Sequence, residues 1–410
     1  MDNRTVESRR STTISVAQLF KTAFEGRDLK PLRAQLLARI EGDPLDAAAL
    51  LDLSVVEQLL GNQAEGLRQQ TQALRIQRLY RPSWPTPPQA LRVLALMAPG
   101  DLGNNTPIEF LLDASDVELY ILYVVPGQPL PNPLPEHDIA IATPCESDQN
   151  RGVLREIQRL IPSWPCTVLN QPDRIMRSAR ERMHSLLGAV PELLMPATVR
   201  ANRAVLEQMG HGSRAAADLL SEAEFPLIVR PVDSHAGRSL AKLDEPSSIA
   251  TYLAGQQETE FFVSQFADYR SSDELFRKYR VMWVDGKPYP VHMAISDGWK
   301  VWYYNAGMAN SEAKREEEAR FMAEFDSGFA RRHARALEAI EERFGLEYFG
   351  IDCAELPDGR LLVFEGGVDL AAHDMDRPDV YPYKSAHMQK LFAAFREMLN
   401  RKSVRDEVAV

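Results

Sequence analysis

The 410-residue sequence predicts an α+β protein: a helical segment, a small parallel α/β unit, and a larger stretch that mixes antiparallel hairpins with helices. Three observations predict it. From Ser15 to about Tyr80, apolar residues recur at helical spacing, with one stop at Gly61-Asn62. Between 91 and 190, short apolar runs of the buried-strand type alternate with helical stretches. Beyond 191 the strands come in pairs joined by turn residues, which is the mark of hairpins rather than crossovers.

Residues 1–14 are polar and read as a disordered tail. Within 15–80, Asp46 to Leu60 and Gln63 to Tyr80 form a predicted helical hairpin. Its layout, LLDLSVVEQLLGNQAEGLRQQTQAL, resembles one tetratricopeptide unit. An array of such units needs about three to bury a core, so a helical cap docked on the next domain is expected. The proline-rich RPSWPTPPQA at 81–90 reads as a stiff linker.

LRVLALM (91–97), VELYILYVV (117–125), HDIAIAT (137–143) and CTVLN (166–170) are predicted strands, with a helix over 152–160. They make an α/β domain of 91–190. In 191–400, FPLIVRPV and SLAKL are predicted to form a hairpin across a polar loop. FFVSQFA, KYRVMWV and KPYPVHMAI are further strands, the last two joined at Asp285-Gly286. A helix over 328–344 places Ala330, Ala334, Leu337, Ile340 and Phe344 on one face, and Gly345 stops it. YFGIDCAEL and RLLVFEG pair across Pro357-Asp358-Gly359, a helix follows near 386–400, and 401–410 reads as a tail.

Hydrophobic residues at 45% and charged residues at 26% suit a folded soluble protein. A net charge of −11 argues against nucleic acid as the main partner, because phosphate binding needs a basic face. The three cysteines, Cys145, Cys166 and Cys353, make neither a disulfide framework nor a metal knuckle, and suit a reducing compartment. The polar start predicts no secretory signal, and no run of about 18 apolar residues predicts a membrane span. A cytoplasmic location is the expectation.

Two stretches carry chemistry. In LIVRPVDSHAGRSLAKL (227–243) a basic residue ends one strand, and a small-residue loop precedes the returning one. Backbone N–H groups in such a loop approach phosphate oxygens closely while a fixed cation neutralises them. In GIDCAELPDGRLLVFEGG (350–367), Asp352 and Glu365 lie on adjacent strands of a hairpin, and strand alternation with the Asp358-Gly359 turn can bring both carboxylates onto one face. That pair suits Mg²⁺, which takes a few carboxylate oxygens together with substrate phosphates.

In this order and spacing, the two stretches resemble the ATP-grasp superfamily, its RimK-type and D-alanine–D-alanine ligase branches in particular, over roughly 165–375. The resemblance implies an ATP-grasp fold of two α+β subdomains, preceded by a pre-ATP-grasp α/β domain. In Ala179-Arg180-Glu181-Arg182, Arg182 occupies the family's phosphate-contacting lysine position, and Arg230 that of its second lysine. Ser234-His235-Ala236-Gly237 matches the phosphate-covering flap, with Arg238 following, and Gln265-Phe266-Ala267 fills the adenine-reading hinge. Arg280 matches the arginine facing the reacting phosphate, and Asp352 and Glu365 match two Mg²⁺ ligands. Where the family has Glu-x-Asn this chain has Glu365-Gly366-Gly367, so the third ligand side chain is missing unless Asp369 bends back to supply it.

The resemblance implies ATP and Mg²⁺ as cofactors, a carboxylate and an amine as substrates, and an amide formed through an acyl phosphate. A peptide or protein substrate and a homodimer are further expectations. Two other readings stay open: an ATP-binding regulator without turnover, and an adaptor acting through its N-terminal helices. His292 reads as a core histidine, and HDMD (373–376) as a charged loop. WKVWYYN (299–305) reads as a strand on which Lys300 and Tyr304 share a parity and could line an acceptor pocket.

Overall fold

The computed structural model describes residues 11–113, 115–221, 223–232, 234 and 237–403. Among them the strands gather into three sheets. The first collects β1 (Thr12–Thr13), β2 (Leu79–Pro82), β3 (Leu91–Met97), β4 (Val117–Tyr123), β5 (Ile139–Ala142) and β6 (Val168–Leu169), ordered β1-β2-β4-β3-β5-β6. The pairs β4–β3, β3–β5 and β5–β6 are parallel, as continuous apolar runs require when both faces are covered. The apolar positions of LRVLALM are accordingly buried on both faces of the sheet.

Two strands of this sheet correct the sequence reading. Thr12 and Thr13, expected in a disordered tail, pair with Arg81 and Pro82 of the expected linker. The helix expected to run to Tyr80 spans Gln63–Ile76, because Gln77 turns extended and the buried Tyr80 hydroxyl donates back to the Ala73 and Gln77 carbonyls. Residues 1–10 and 404–410 of the two expected tails lie outside the described residues, and the last helix, Lys384–Ser403, runs three residues into the second.

The second sheet is antiparallel: β8 (Thr198–Asn202), β9 (Leu227–Pro231), β10 (Ala241–Leu243) and β11 (Glu260–Gln265), ordered β10-β9-β11-β8. The third holds β7 (Leu193–Leu194), β12 (Phe276–Val284), β13 (Lys287–Ser296), β14 (Tyr348–Glu355) and β15 (Leu361–Gly367), ordered β13-β12-β14-β15-β7. The turn between β12 and β13 has Asp285 at φ 48° and Gly286 at φ 82°, the two positive angles that a tight hairpin demands. One face of this sheet stacks the buried Trp283 on Phe349 and Phe349 on Phe344, with centroids 5.0 and 4.5 Å apart.

The helix expected over 328–344 is broken at His333 into Phe329–Arg332 and Ala334–Phe344. His333 Nε2 lies 2.7 Å from Glu355 Oε1, and the break rotates Ala334 out to solvent while Ala336, Leu337, Ile340 and Phe344 stay buried. Gly345 closes the helix at φ 56°, as its sequence position implied. WKVWYYN is not a strand: Tyr303–Asn305 forms a single 3₁₀ turn. The helix Lys384–Ser403 buries Met388, Leu391, Phe392, Phe395, Met398 and Leu399 in one core with β3, β5, β12 and β14, and so joins the first sheet to the third.

The helix Val16–Phe24 is held by two buried carboxylates. Asp52 accepts from the Ile14 N–H at 3.0 Å, and Glu109 accepts from the Val16 N–H at 2.7 Å. Phe20 packs edge-on against Phe110, 5.2 Å between centroids. Burial pushes the Glu109 carboxyl up to about 7 from an ordinary 4.5, and the Val16 N–H offsets only part of that. A carboxyl whose folded value is raised contributes stability below its unfolded value, and that contribution is lost as pH climbs through the folded one. Between pH 4.5 and 8 the wild type should therefore lose about 3 kcal/mol more stability than Glu109→Gln. Denaturant titrations of both across that range test this, and parallel curves would show that Glu109 does not titrate inside the fold.

Candidate functional site

Register places a row of polar side chains across the third sheet. His292 of β13 lies opposite Arg280 of β12, Arg280 opposite Asp352 of β14, and Asp352 opposite Glu365 of β15. Cross-strand partners share a face, so four neighbouring strands present imidazole, guanidinium and two carboxylates in line. Lys278, two residues before Arg280, points the same way. The row forms one wall of a cavity of about 860 Å³. Across from it stand Arg200, Arg230 and Phe262 of the second sheet.

Asp352 is 1% exposed and saturated with donors. Arg280 grips it with Nε to Oδ1 at 2.7 Å and Nη2 to Oδ2 at 3.0 Å, and Lys278 Nζ adds a contact at 2.8 Å. Burial alone would push its carboxyl up, but the Arg280 and Lys278 charges override that and hold it far below the usual carboxylate range. Glu365 accepts from Arg180 Nη2 at 2.6 Å, and Arg230 Nη1 stands 3.9 Å away. Burial raises its carboxyl, the two arginines outweigh it, and the result lies at about 2.

Arg230 is buried at the end of β9, where its guanidinium donates to the Ser234 hydroxyl at 3.0 Å and to the Ser234 carbonyl. Burial first, and then the charge of Arg180, pulls it down to about 10. Two guanidiniums facing one carboxylate leave uncompensated positive charge, which an anion in the cavity would relieve. Burial and the Arg280 charge hold His292 well below its usual value, so it is neutral at pH 7.

The carboxylates supply only oxygen donors, which suits a hard cation. A Cβ built on Gly367 would lie 2.7 Å from Asp369 Oδ1, so the Asp369 carboxylate takes the space of the side chain that Gly367 lacks. Among the described residues no group of three or more His, Cys, Asp or Glu stands ready to cage an ion. Mg²⁺ rarely has such a cage, since one or two carboxylates plus phosphates ordinarily hold it. The donor set therefore fits that ion, provided Lys278 and Arg280 yield one Asp352 oxygen.

Of the residues singled out from sequence, Arg230, Ser234, Gly237, Gln265, Phe266, Ala267, Arg280, Asp352, Glu365 and Asp369 line the cavity. His235 and Ala236 lie outside the described residues. Arg182 and Arg238 are exposed and are not among the residues that line the cavity. For Arg182 the reason is a turn: its N–H bonds the Ala179 carbonyl at 2.7 Å, so Arg180 rather than Arg182 faces Glu365. Arg238 sits in the turn 237–239 beyond the end of β9, directed to solvent. Sequence reasoning missed Arg180 and Lys278, although the parity of Lys278 with Arg280 was a usable signal. It read HDMD as a charged loop, yet His373 and Asp376 line the same cavity.

No family model matches the chain, and no curated protein matches it. Solved structures similar to it include D-alanine–D-alanine ligase from Bacillus anthracis complexed with ATP, at 12% identity and TM-score 0.45, covering 77% of this chain and 98% of that one. VanG D-Ala:D-Ser ligase from Enterococcus faecalis gives 13% identity and TM-score 0.47, covering 77% and 100%. A RimK domain protein ATP-grasp from Sphaerobacter thermophilus DSM 20745 gives 15% and 0.41, covering 75% and 99%.

Removing the carboxylate from the centre of the row strands two half-buried cations, Lys278 and Arg280. Asp352→Asn should cost about 3–5 kcal/mol of stability, and Arg280→Met in the same chain should restore part of it. A double-mutant cycle by chemical denaturation reads this directly; additive losses would mean that the two groups do not couple.

Proposed function

We propose that the chain is an ATP-dependent carboxylate–amine ligase of the ATP-grasp kind, with the nucleotide held between the second and third sheets. One observation carries the reading: Arg180, Arg230, Lys278 and Arg280 converge from three segments on the register-paired Asp352 and Glu365, inside one cavity. Four cations against two carboxylates suit a polyphosphate, and the sequence resemblance assigns two of those positions, Arg230 and Arg280, to a nucleotide site.

In this reading Arg180 and Arg230 hold the phosphates, with Ser234 and Gly237 in the loop that covers them. Gln265, Phe266 and Ala267, at the end of β11, border the base. Arg280 orients the terminal phosphate toward a carboxylate oxygen, which bonds to phosphorus as the bond to the ADP oxygen breaks. An amine nitrogen then attacks the acyl carbon, phosphate leaves with the surplus proton, and an amide results. Asp352, Glu365 and Asp369 would hold Mg²⁺, which when bound supplies charge to the phosphates. The covering loop excludes water, because an acyl phosphate exposed to it hydrolyses.

A nucleotide-binding protein without turnover is the second reading, and one observation favours it. Both oxygens of Asp352 already accept from basic side chains.

Calorimetric titration with ATP, with and without Mg²⁺, separates the two when paired with an assay of ADP release over carboxylates and amines. The ligase reading expects metal-dependent binding, with ADP release stimulated by acceptor and lowered at least about 100-fold in Glu365→Ala. Binding that ignores the metal and releases no ADP would leave the non-catalytic reading standing. Absence of ATP binding would sink both.

A further inference from the structure

Five large hydrophobic side chains are exposed among the described residues, and three of them, Phe24, Trp302 and Tyr304, line the cavity. They are 38, 46 and 52% exposed. Tyr304 meets Trp302 edge-on at 5.0 Å and Phe24 at 5.9 Å, while His373 closes the cluster 5.7 Å from Phe24. Aromatic area left open inside a cavity costs hydration free energy in the free protein, so its persistence there points to a ligand.

The segment that presents Trp302 and Tyr304 lines the cavity from Trp299 to Asn305, with different neighbours at its two ends. Its first half borders the proposed nucleotide end: Trp299 packs against Phe266 at 5.9 Å, and a Cβ on Gly237 would lie 3.5 Å from Lys300 Cε. Its second half faces the helix Val16–Phe24 and His373. Between them Tyr303 is buried, and its hydroxyl donates to the fully buried Glu318 at 2.9 Å, while Lys384 Nζ sits 3.8 Å from its ring centroid. The two exposed rings are therefore mounted on a fixed base.

Hydrogen-bond direction at this end selects for an acceptor. The Met375 N–H donates to His373 Nδ1 at 3.3 Å, so in the neutral ring Nε2 carries the proton. That proton points at the Tyr304 oxygen, 3.2 Å away, which leaves the Tyr304 O–H free to donate into the cavity. Arg280 uses three of its five N–H groups on Asp352 and the Ala371 carbonyl, leaving two. Burial lowers the His373 value, consistent with a neutral ring.

We propose that Phe24, Trp302 and Tyr304 form a subsite for a carboxylic acid bearing an aromatic or bulky apolar group, such as a hydrophobic amino acid or the C-terminal residue of a peptide. The rings hold the apolar group, and the Tyr304 O–H and Arg280 receive the carboxylate. The assignment of this acid as the group to be activated rests on the ligase reading; its binding does not.

The test is calorimetry on the full chain with N-acetyl-L-phenylalanine and N-acetylglycine, without nucleotide. The aromatic acid should bind at least about 10-fold tighter, from the added apolar area. In Trp302→Ala and in Phe24→Ala, both substitutions of exposed side chains, that ratio should fall toward one. Equal affinities in the wild type, no binding of either acid, or a ratio that survives both substitutions would overturn the proposal. Aromatic-acid binding in a chain that fails to bind ATP would keep the subsite and reject the ligase reading. ATP-dependent turnover with no preference between the acids would do the reverse.

Discussion

Everything at the centre of this structure depends on one constraint: a carboxylate buried as deeply as Asp352 must be fully partnered. The register of β12 against β14 meets it by setting Arg280 directly opposite, and β strand parity adds Lys278. The register of β14 against β15 sets Glu365 beside Asp352, where two carboxylates would repel without Arg180 and Arg230. A slip of one residue in either pairing would turn these groups to the opposite face, among Trp283, Phe349 and Cys353. The site and the fold are thus specified by the same hydrogen-bond ladder.

The surrounding architecture holds that ladder against two other bodies of structure. The final helix shares a core with strands of both the first and third sheets, fixing the polar row relative to the parallel sheet. The second sheet carries its own smaller core, built from residues such as Leu206, Val229, Ile249 and Phe261. Its only buried cation facing the cavity, among the described residues, is Arg230. A separate core across a cavity is what allows one wall of a site to move against the other.

Much of this was legible in the sequence, for reasons that particular residues make plain. LRVLALM announced its strand to the residue, because a buried parallel strand is apolar on both faces. Asp285-Gly286 announced its hairpin because few pairs tolerate two positive φ angles. Asp352 and Glu365 could be assigned to the two strands of one hairpin, but it is the bulge beside Asp352, which no turn residue announces, that sets them opposite each other. What could not be read depended on contacts distant in sequence. Thr12–Thr13 is a strand only because Arg81 and Pro82 arrive beside it, and His333 breaks its helix where Glu355 waits on another strand. Arg180 and Arg182 differ in role through one local turn, and no periodicity distinguishes them.

The alternation of Trp302, Tyr303 and Tyr304 has a consequence for how such a chain can change over generations. Tyr303 is tied to the buried Glu318, while among the described residues the Tyr304 hydroxyl meets only His373 and the Trp302 ring is exposed beside it. Substitutions at 302 and 304 therefore meet little resistance from folding, and selection can act on them through the ligand alone. A lineage could retune what the cavity prefers by altering two surface rings, with the charged row and its register left untouched. Stability and selectivity are inherited at adjacent positions yet remain separately adjustable.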